Sequence, residues 1–286
     1  MNSPEGILYV VATPIGNLED ITLRALRVLR EVDVIYSEDT RETRVLLAHY
    51  SIPTPLKSHL GGESRKIREI LAHLDAGRAV AIVSDRGMPG ISDPGEAIVR
   101  AAIESGHRVV VIPGANAAIT ALVASGLPTE RFVFEGFLPK AGTARAERLE
   151  RLRFERRTMV FHESPARFVQ LLADLSDALG KERPAACARE LTKMHEEIVR
   201  GTLATLLDHF LSHRPRGELI LVVAGTSEQE TPTLEDAYAL LEAAIASGTP
   251  VSEAVKSIAH ATGIPRNTLY EHALKVTGRT PEPREP

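Results

Sequence analysis

The stretch AVAIVSDRGMPGISDPG, residues 79–95, decides how the first part of the chain folds. Its first five residues are uniformly apolar, which predicts a buried strand over Ala79–Val83. The next twelve, Ser84–Gly95, contain three glycines, two prolines and two aspartates. Proline lacks a backbone N–H and fixes φ, so this segment is neither a helix nor a central strand. Open α/β sheets bind ligands at strand ends, so we interpret it as a ligand-binding loop rather than a plain surface turn.

Strand and helix patterns alternate on either side of that loop, over roughly the first 125 residues. Apolar runs predict strands at Ile7–Ala12, Val32–Ser37, Ala79–Val83 and Arg108–Ile112. Helical patterns follow at Thr22–Arg30, Glu63–Asp75, Ala97–Ser105 and Asn116–Ala124. This alternation predicts an α/β domain with a mainly parallel sheet covered on both faces.

A second, smaller α/β region follows. Its predicted elements are strands at Phe132–Gly136, Thr158–His162, Pro184–Arg189 and Leu219–Ala224 and helices at Pro165–Leu179 and Leu203–Phe210. Polar Thr226–Thr233 is interpreted as a linker, Leu234–Thr277 is helical by pattern, and Pro281–Pro286 is predicted to be disordered. We therefore predict domains at residues 1–125, 126–226 and 233–280.

The bulk properties of the 286 residues exclude several classes of protein. A net charge of −4 provides no global attraction to nucleic acid, so such binding would need a local patch. The single cysteine, Cys187, allows no internal disulfide and suits a reducing cytoplasm. No apolar run approaches the ~20 residues of a membrane helix, and no signal peptide is visible. The ten histidines lack paired ligand spacing, so no metal is expected.

The segment after the first strand, ATPIGNLEDIT at residues 12–22, contains Gly16, which permits close approach of a ligand. The alternative is a simple strand-to-helix turn with a capped helix. The segment matches neither G-x-G-x-x-G nor G-x-x-x-x-G-K-[ST], so hydride transfer and nucleotide hydrolysis lose support. A serine hydrolase is also unsupported, because the chain has no G-x-S-x-G elbow.

The second predicted strand ends in SEDTR, residues 37–41, which places Glu38, Asp39 and Arg41 at a sheet edge. Two carboxylates and a guanidinium there can orient a substrate hydroxyl or a phosphate. A helix N-cap with an internal ion pair explains the same residues equally well.

Three further segments follow strands. IPGANAA, residues 112–118, either leaves room for a ligand beside exposed backbone donors or packs a helix closely on the sheet. His162 is either a general base or a structural histidine, and Ser164 before Pro165 fits a helix N-cap. The charges of ARELTK, residues 188–193, face either solvent or a cleft.

Taken together, these segments resemble the tetrapyrrole methylase superfamily and, within it, the cytidine 2′-O-methyltransferases of small-subunit ribosomal RNA. The resemblance covers nearly the whole chain. It rests on TPIGNLEDITLRAL at 13–26, SEDTRETRVLL at 37–47, SDRGMPGISDPG at 84–95, PGANAAITAL at 113–122, GLPTERFVFEGFLP at 126–139, HESPAR at 162–167 and ARELTK at 188–193.

The resemblance implies a tetrapyrrole-methylase-like two-domain α/β fold with S-adenosylmethionine (SAM) in a cleft between the domains, plus a small C-terminal helical domain like a helix-turn-helix. It implies a homodimer that methylates the 2′-oxygen of a cytidine in the decoding region of 16S ribosomal RNA, as free RNA or in the 30S particle. Two alternatives stay open: methylation of a tetrapyrrole or a protein side chain, and a non-catalytic regulator that senses nucleotides.

The matching loops imply roles for particular residues. The implied SAM contacts are Pro14, Gly16, Asp85, Gly87, Met88, Asn116, Ala117 and His162. Glu38, Asp39 and Glu163 are candidates for the base that activates the ribose hydroxyl, and Arg41 for a phosphate contact. The superfamily usually reads SDAGTP where this chain has SDRGMP, so the Met88 side chain offers no hydroxyl to a ligand.

Two regions are candidates for binding RNA. Residues Lys140–Arg157 contain seven basic and three acidic side chains and predict a basic helix that follows phosphates, or else a solvated helix with internal ion pairs. Val251–Thr262 and Arg266–Thr277, around Gly263, resemble a helix-turn-helix. Residues 232–286 hold five basic and seven acidic groups, which disfavours non-specific DNA binding and leaves a contact with RNA or the ribosome, a dimer contact or a cover for the cleft.

Overall fold

A computed structural model describes residues 6–59, 63–92, 95–226 and 233–277. Asp93 and Pro94 of the glycine-rich loop, residues 227–232 of the predicted linker and the tail Pro281–Pro286 lie outside these ranges. The chain forms two compact units. The first contains Met1–Ala124, Ala188–Ile198 and Arg216–Ile220, and the second contains Ser125–Cys187, Val199–Pro215 and Leu221–Pro286.

The first unit is built on a five-stranded sheet in the order β3-β2-β4-β1-β5, whose neighbouring strands all pair in parallel. The strands are β1 (Ile7–Val11), β2 (Val34–Ser37), β3 (Leu56–Ser58), β4 (Ala79–Val83) and β5 (Arg108–Ile112). The helices are α1 (Leu23–Glu31), α2 (Thr40–His49), α3 (Glu63–Asp75), α4 (Glu96–Glu104) and α5 (Ala117–Ser125). The predicted parallel α/β sheet is therefore confirmed.

Alternate residues of the central strands supply two separate hydrophobic clusters, one on each face. Val11 and Val83 pack with Leu29 of α1, whereas Val10 and Ile82 pack with Ile70 of α3. Because both faces are buried, the strands consist of almost continuous apolar residues, the pattern from which they were predicted.

The order of the strands creates a topological switch point between β1 and β4. These strands are neighbours, yet the chain leaves β1 toward β2 on one side and leaves β4 toward β5 on the other. The crevice at the carboxyl ends of such a strand pair is the preferred ligand site of open α/β sheets. The loops that carry Pro14, Gly16 and Asp85 therefore begin at this point.

The sequence patterns missed some short or polar elements. Helix α2 begins inside SEDTR, β3 has only three residues, and EIVRGT gives no clear alternation of apolar and polar residues. Such segments lack the periodic apolar signal on which prediction depends.

The second sheet has the order β6-β7-β10-β8-β9, and β6 pairs in parallel with β7. The strands are β6 (Phe132–Gly136), β7 (Thr158–Glu163), β8 (Pro184–Arg189), β9 (Glu197–Thr202) and β10 (Leu219–Val223). The accompanying helices are α6 (Thr143–Leu152), α7 (Pro165–Leu179) and α8 (Leu203–Ser212). Phe168 of α7 and Phe210 of α8 pack edge to face with ring centroids 5.0 Å apart, which joins these helices in the core.

Three helices end the described chain: α9 (Leu234–Ala246), α10 (Val251–Thr262) and α11 (Arg266–Thr277). Leu241, Val255, Ile258 and Leu269 form their common core. Gly263 ends α10 with φ of +73°, a left-handed conformation that suits glycine. The predicted C-terminal helical domain with a glycine turn is confirmed.

Candidate functional site

Two loops at the switch point are joined by a pair of backbone hydrogen bonds. The N–H of Thr13 donates to the carbonyl of Gly87 at 2.9 Å, and the N–H of Gly87 donates to the carbonyl of Thr13 at 3.1 Å. The Thr13 hydroxyl donates to the Ser84 carbonyl at 3.1 Å, and the Ser84 hydroxyl donates to the Gly87 carbonyl at 3.0 Å. The two loops therefore form one rigid wall.

The junction requires glycine at position 87, because the backbone there is left-handed and neighbouring atoms leave little room for a side chain. Its φ is +82°, and an added Cβ would lie 3.3 Å from Cγ2 of Ile15 and 3.6 Å from the Ala115 carbonyl oxygen. The loops after β1, β4 and β5 consequently meet around this glycine, as expected of loops that share one sheet edge.

The SEDTR segment adopts the helix-cap geometry that the sequence allowed. The Asp39 carboxylate accepts from the Arg41 N–H at 2.8 Å at the start of α2 and also pairs with the Arg41 guanidinium. These bonds lower the pKa of Asp39 to about 2, so its carboxylate is a weak base at neutral pH. The N–H of Asp39 donates to Oδ1 of Asp85 at 2.7 Å, which ties α2 to the glycine-rich loop.

A cavity of about 280 Å³ opens beside this wall. Its lining combines hydroxyls, apolar side chains, two carboxylates and two cations. The lining residues are Thr13, Pro14, Gly16, Leu18, Glu42, Thr43, Val45, Leu46, Ser84, Asp85, Arg86 and Lys193. Glu38 lies at an adjoining cavity, which is lined by Glu38, Glu42, Asp85, Arg86 and Glu218. The structure thus brings the predicted Pro14, Gly16 and Asp85 together at one cavity.

Two other predicted SAM contacts have side chains that bond or pack within the first unit, and a third, Ala117, is the first residue of α5. The Met88 side chain packs against the cluster that contains Leu8 and Ile98. Oδ1 of Asn116 accepts from the Ile119 N–H at 3.0 Å, so this side chain caps α5, which begins at Ala117. Any ligand contact from these positions would fall mainly to their backbone groups, and their roles stay predictions.

The predicted residues of the second unit lie at the end of β7. Burial lowers the pKa of His162, and its Nε2 atom is buried with no hydrogen-bond partner among the described residues. The rings of Phe134 and Phe137 contact His162 edge to face at centroid distances of 5.3 and 5.6 Å. His162 is therefore neutral at neutral pH and sits in an aromatic setting.

Glu163 is buried and pairs with Nη2 of Arg167 at 2.6 Å. Oε1 of Glu163 also accepts from the Ser164 N–H at 2.7 Å and from the Ser164 hydroxyl at 3.0 Å. Ser164 is the N-cap residue of α7 and Pro165 its first residue, as predicted, although the Ser164 hydroxyl bonds Glu163 instead of the helix backbone. This network fixes the Glu163 carboxylate beside the helix start.

Three residues at or near the first-unit site had no individual role in the sequence prediction. His59 is buried, and burial lowers its pKa against the opposing effects of Asp85 and a hydrogen bond to the Val83 backbone. Lys193 and Glu218 reach the site from segments far away in the chain. The ARELTK motif drew attention to Lys193. His59 and Glu218 carry no such signal, because they lie far in the sequence from the loops of the site.

The basic segment of residues 140–157 is largely paired. Arg145 bonds Asp174 at 2.7 Å and the Pro139 carbonyl at 2.8 Å, and Arg148 bonds Glu135 at 2.7 Å. Arg153 and Arg157 form ion pairs with Glu150 and Glu155. Within this segment, whose residues the structure describes throughout, three exposed cations form no ion pair with another described residue: Lys140, Arg151 and Arg156.

Within the described ranges, no group of three or more His, Cys, Asp or Glu side chains is arranged to hold a metal ion. Among the same residues, no helix is both long and apolar enough to span a membrane.

Comparison with known families gives two matches. Residues 7–207 match the Tetrapyrrole (Corrin/Porphyrin) Methylases, and residues 231–276 match the RsmI C-terminal HTH domain. The proteins named ribosomal RNA small subunit methyltransferase I from Synechocystis sp. and Pseudomonas aeruginosa are 46% and 44% identical to this chain. The alignments cover 95% and 96% of this chain and 98% and 99% of the two relatives.

Solved structures share the fold at lower identity. Uroporphyrin-III-C-methyltransferase from Thermus thermophilus superposes with a TM-score of 0.57 at 23% identity, over 77% of this chain and 94% of that one. A structure of that enzyme complexed with S-adenosyl homocysteine gives 0.54 at 23% identity, over 76% and 96%. A diphthine synthase gives 0.59 at 16% identity, over 78% and 91%. The chain belongs to the tetrapyrrole (corrin/porphyrin) methylase family and, within it, to the ribosomal RNA small subunit methyltransferase I group.

Proposed function

We propose that this protein transfers a methyl group from SAM to the ribose 2′-oxygen of a cytidine in the decoding region of 16S ribosomal RNA. The observation that carries the proposal is the likeness to ribosomal RNA small subunit methyltransferase I proteins, which extends at 42–46% identity over nearly the whole chain. The shared fold alone would suit tetrapyrrole or protein methylation equally well.

SAM supplies an electrophilic methyl group on a positively charged sulfur. The first unit has features that fit it: a rigid wall of loops at the switch point and carboxylates of Glu38, Glu42 and Asp85 that favour a positive ligand. The buried hydroxyl of Ser37 adds a polar group without a hydrogen-bond partner among the described residues. The location of SAM in a cleft between the domains stays a prediction.

Glu38 is the best candidate for the base that accepts the proton of the ribose hydroxyl. Asp39 is held as a weakly basic helix cap, and Glu163 is buried in an ion pair with Arg167. Glu38 follows the last residue of β2 and lines a cavity, which is where a substrate hydroxyl would have to lie. A positioned carboxylate at hydrogen-bond distance from the hydroxyl would aid attack, because a protonated ribose oxygen is a poor nucleophile.

We assign RNA binding in the second unit to the exposed cations Lys140, Arg151 and Arg156 and to the C-terminal helices. A cation without an ion pair offers all of its donors to a phosphate. The substrate is small-subunit RNA, free or within the 30S particle, and such a reaction places the protein in the cytoplasm.

We also propose that the protein is a homodimer. The first unit exposes apolar side chains on its edge strand and the following helix, at Val111, Ile119 and Val123, the last of which is 69% exposed. Exposed apolar side chains on two consecutive elements support a protein contact there, whereas a single exposed apolar residue does not. Val123→Glu should lower the mass measured by light scattering, whereas Leu23→Glu, at an 86% exposed leucine on α1, should not.

The decisive experiment for the activity incubates the purified protein with labelled SAM and small ribosomal subunits. Label in the ribose of a cytidine supports the proposal. Label that enters only protein or a tetrapyrrole refutes it. Failure to bind SAM in calorimetry would refute methyl transfer and leave the nucleotide-sensing regulator as the alternative.

A further inference from the structure

The ARELTK segment contributes directly to the cavity of the first unit. Lys193 lines this cavity, and its segment lies against Gly16 so closely that no side chain fits there. A Cβ on Gly16 would lie 2.6 Å from Cγ of Lys193 and 2.7 Å from the Leu191 carbonyl oxygen. The charge of Lys193 therefore faces the site rather than only solvent.

The backbone of the segment is held in an unusual conformation. Glu190 and Thr192 have φ values of +51° and +64°, a region that residues other than glycine rarely adopt and that is least suited to a β-branched threonine. The Thr192 N–H donates to Oε2 of Glu196 at 2.6 Å, and Oε1 of Glu190 accepts from Lys193 Nζ at 2.8 Å. Such conformations cluster at ligand sites, where surrounding contacts hold them in place.

One carboxylate joins two cations at this cavity. Glu218 pairs with the Arg86 guanidinium through one oxygen, and its Oε2 lies 3.3 Å from Lys193 Nζ. The Glu218 N–H in turn donates to Oε1 of Glu190 at 2.9 Å. The side chains of Arg86 and Lys193 keep 41% and 20% of their surface exposed, so both retain donors for a ligand.

The charges of SAM and RNA indicate which of the two would bind Arg86 and Lys193. SAM carries a sulfonium, an ammonium and a carboxylate, so its net charge is positive and the acidic residues Glu38, Glu42 and Asp85 attract it. RNA is a polyanion, and the same carboxylates repel it. A phosphate can approach this cavity only where local cations offset that repulsion.

We propose that Arg86 and Lys193 bind a phosphate of the RNA strand next to the acceptor nucleotide, with Glu218 and Glu190 holding the two cations in place. This inference rests on the proposed RNA substrate and adds the site at which the first unit contacts that RNA. The Thr192 hydroxyl, buried with no hydrogen-bond partner among the described residues, is a further donor at the same loop.

The test compares Arg86→Ala, Lys193→Met and the double variant with the wild-type protein. Methionine keeps the unbranched stem that packs on Gly16 and removes only the charge. Arg27→Ala is the matched control, because Arg27 is an exposed arginine paired with Glu31 on α1. RNA affinity is measured over a range of salt concentrations with a 16S RNA transcript, and SAM affinity by calorimetry.

We expect each cavity variant to weaken RNA binding. The negative slope of log affinity against log salt should become shallower by about one. The double variant should make it shallower by about two, Lys193→Arg should restore the wild-type slope, and SAM affinity should not fall in any of them, because SAM is itself positively charged. An unchanged RNA slope in folded variants, or a loss confined to SAM affinity, would overturn the inference. Wild-type protein that neither binds nor methylates RNA would defeat the proposed function as well.

Discussion

The backbone groups of Thr13 and Gly87 bond each other in both directions, at 2.9 and 3.1 Å, across 74 positions of sequence. This reciprocal pair joins the loops after two neighbouring parallel strands whose chains depart toward opposite edges of the sheet. The glycine-rich loop is therefore one half of a two-loop wall. Its shape depends on the backbone more than on side chains, so loss of the usual hydroxyl at Met88 leaves this wall intact.

Gly87→Ala should impair SAM binding. Alanine at a φ of +82° costs about 1–2 kcal/mol, and its Cβ would crowd Ile15 at 3.3 Å, which shifts the loops after β1 and β4 apart. The matched control is Gly106→Ala, whose φ is +79° but whose Cβ would meet open space. Calorimetry should show weaker SAM binding for the first variant only, while thermal unfolding shows a lower stability for both. Equal SAM affinity in the two variants would show that this wall does not contact SAM.

The sequence was sufficient to predict the apolar strands and the loops that follow them, because buried parallel strands leave a long apolar signal. It was insufficient to predict which groups form hydrogen bonds and ion pairs with one another. Nothing local to Asp39 indicates that its N–H bonds Asp85, and nothing local to Arg145 indicates a bond to Asp174. Glu218 belongs to the site only because the chain folds back to it, a relation set by tertiary packing.

The ion pair of Asp39 should make stability depend on pH at acidic values. The pKa of Asp39 is about 2 in the folded protein against 3.8 for an unperturbed aspartate. Because the pKa is lower in the folded protein, ionised Asp39 stabilises the fold above about pH 4. This stabilisation disappears as the pH falls toward 2. Asp39→Asn keeps an oxygen to cap α2 but loses the charge, so its melting temperature should fall less than that of the wild type across this window.

Glu69 has a pKa lowered to about 2 by its bonds to Lys57 and Tyr36, and it loses its charge in the same window. Asp39→Asn should therefore reduce the pH dependence without abolishing it. Asp208→Asn, at an exposed aspartate of α8, is the control for the loss of one carboxylate elsewhere on the surface. Identical curves for the wild type and Asp39→Asn would contradict the stabilising role of the Asp39–Arg41 pair.

The arginines of the basic segment should separate into two classes. Arg151 and Arg156 are exposed without ion pairs among the described residues, so replacing both by alanine should weaken RNA binding and lower its salt dependence without changing stability. Arg145 bonds Asp174 with little exposure, so Arg145→Ala should destabilise the protein by about 1–3 kcal/mol. Filter binding and urea unfolding measure the two effects. Equal RNA loss from Arg145→Ala in a folded protein would contradict this division.

The C-terminal helices should be needed for the RNA and dispensable for SAM. Leu269→Ala removes a fully buried side chain from the core of α9, α10 and α11, and such a change costs about 2–5 kcal/mol. Hydrogen exchange should then show faster opening of these helices alone, because the described residues of their core cluster all belong to the three helices, except Ile264 of the intervening turn. Methylation of small subunits should fall while SAM affinity stays unchanged, and Val276→Ala, at an exposed position of α11, should behave as the wild type. If a variant whose C-terminal helices have opened still methylates small subunits fully, these helices are not needed for RNA recognition.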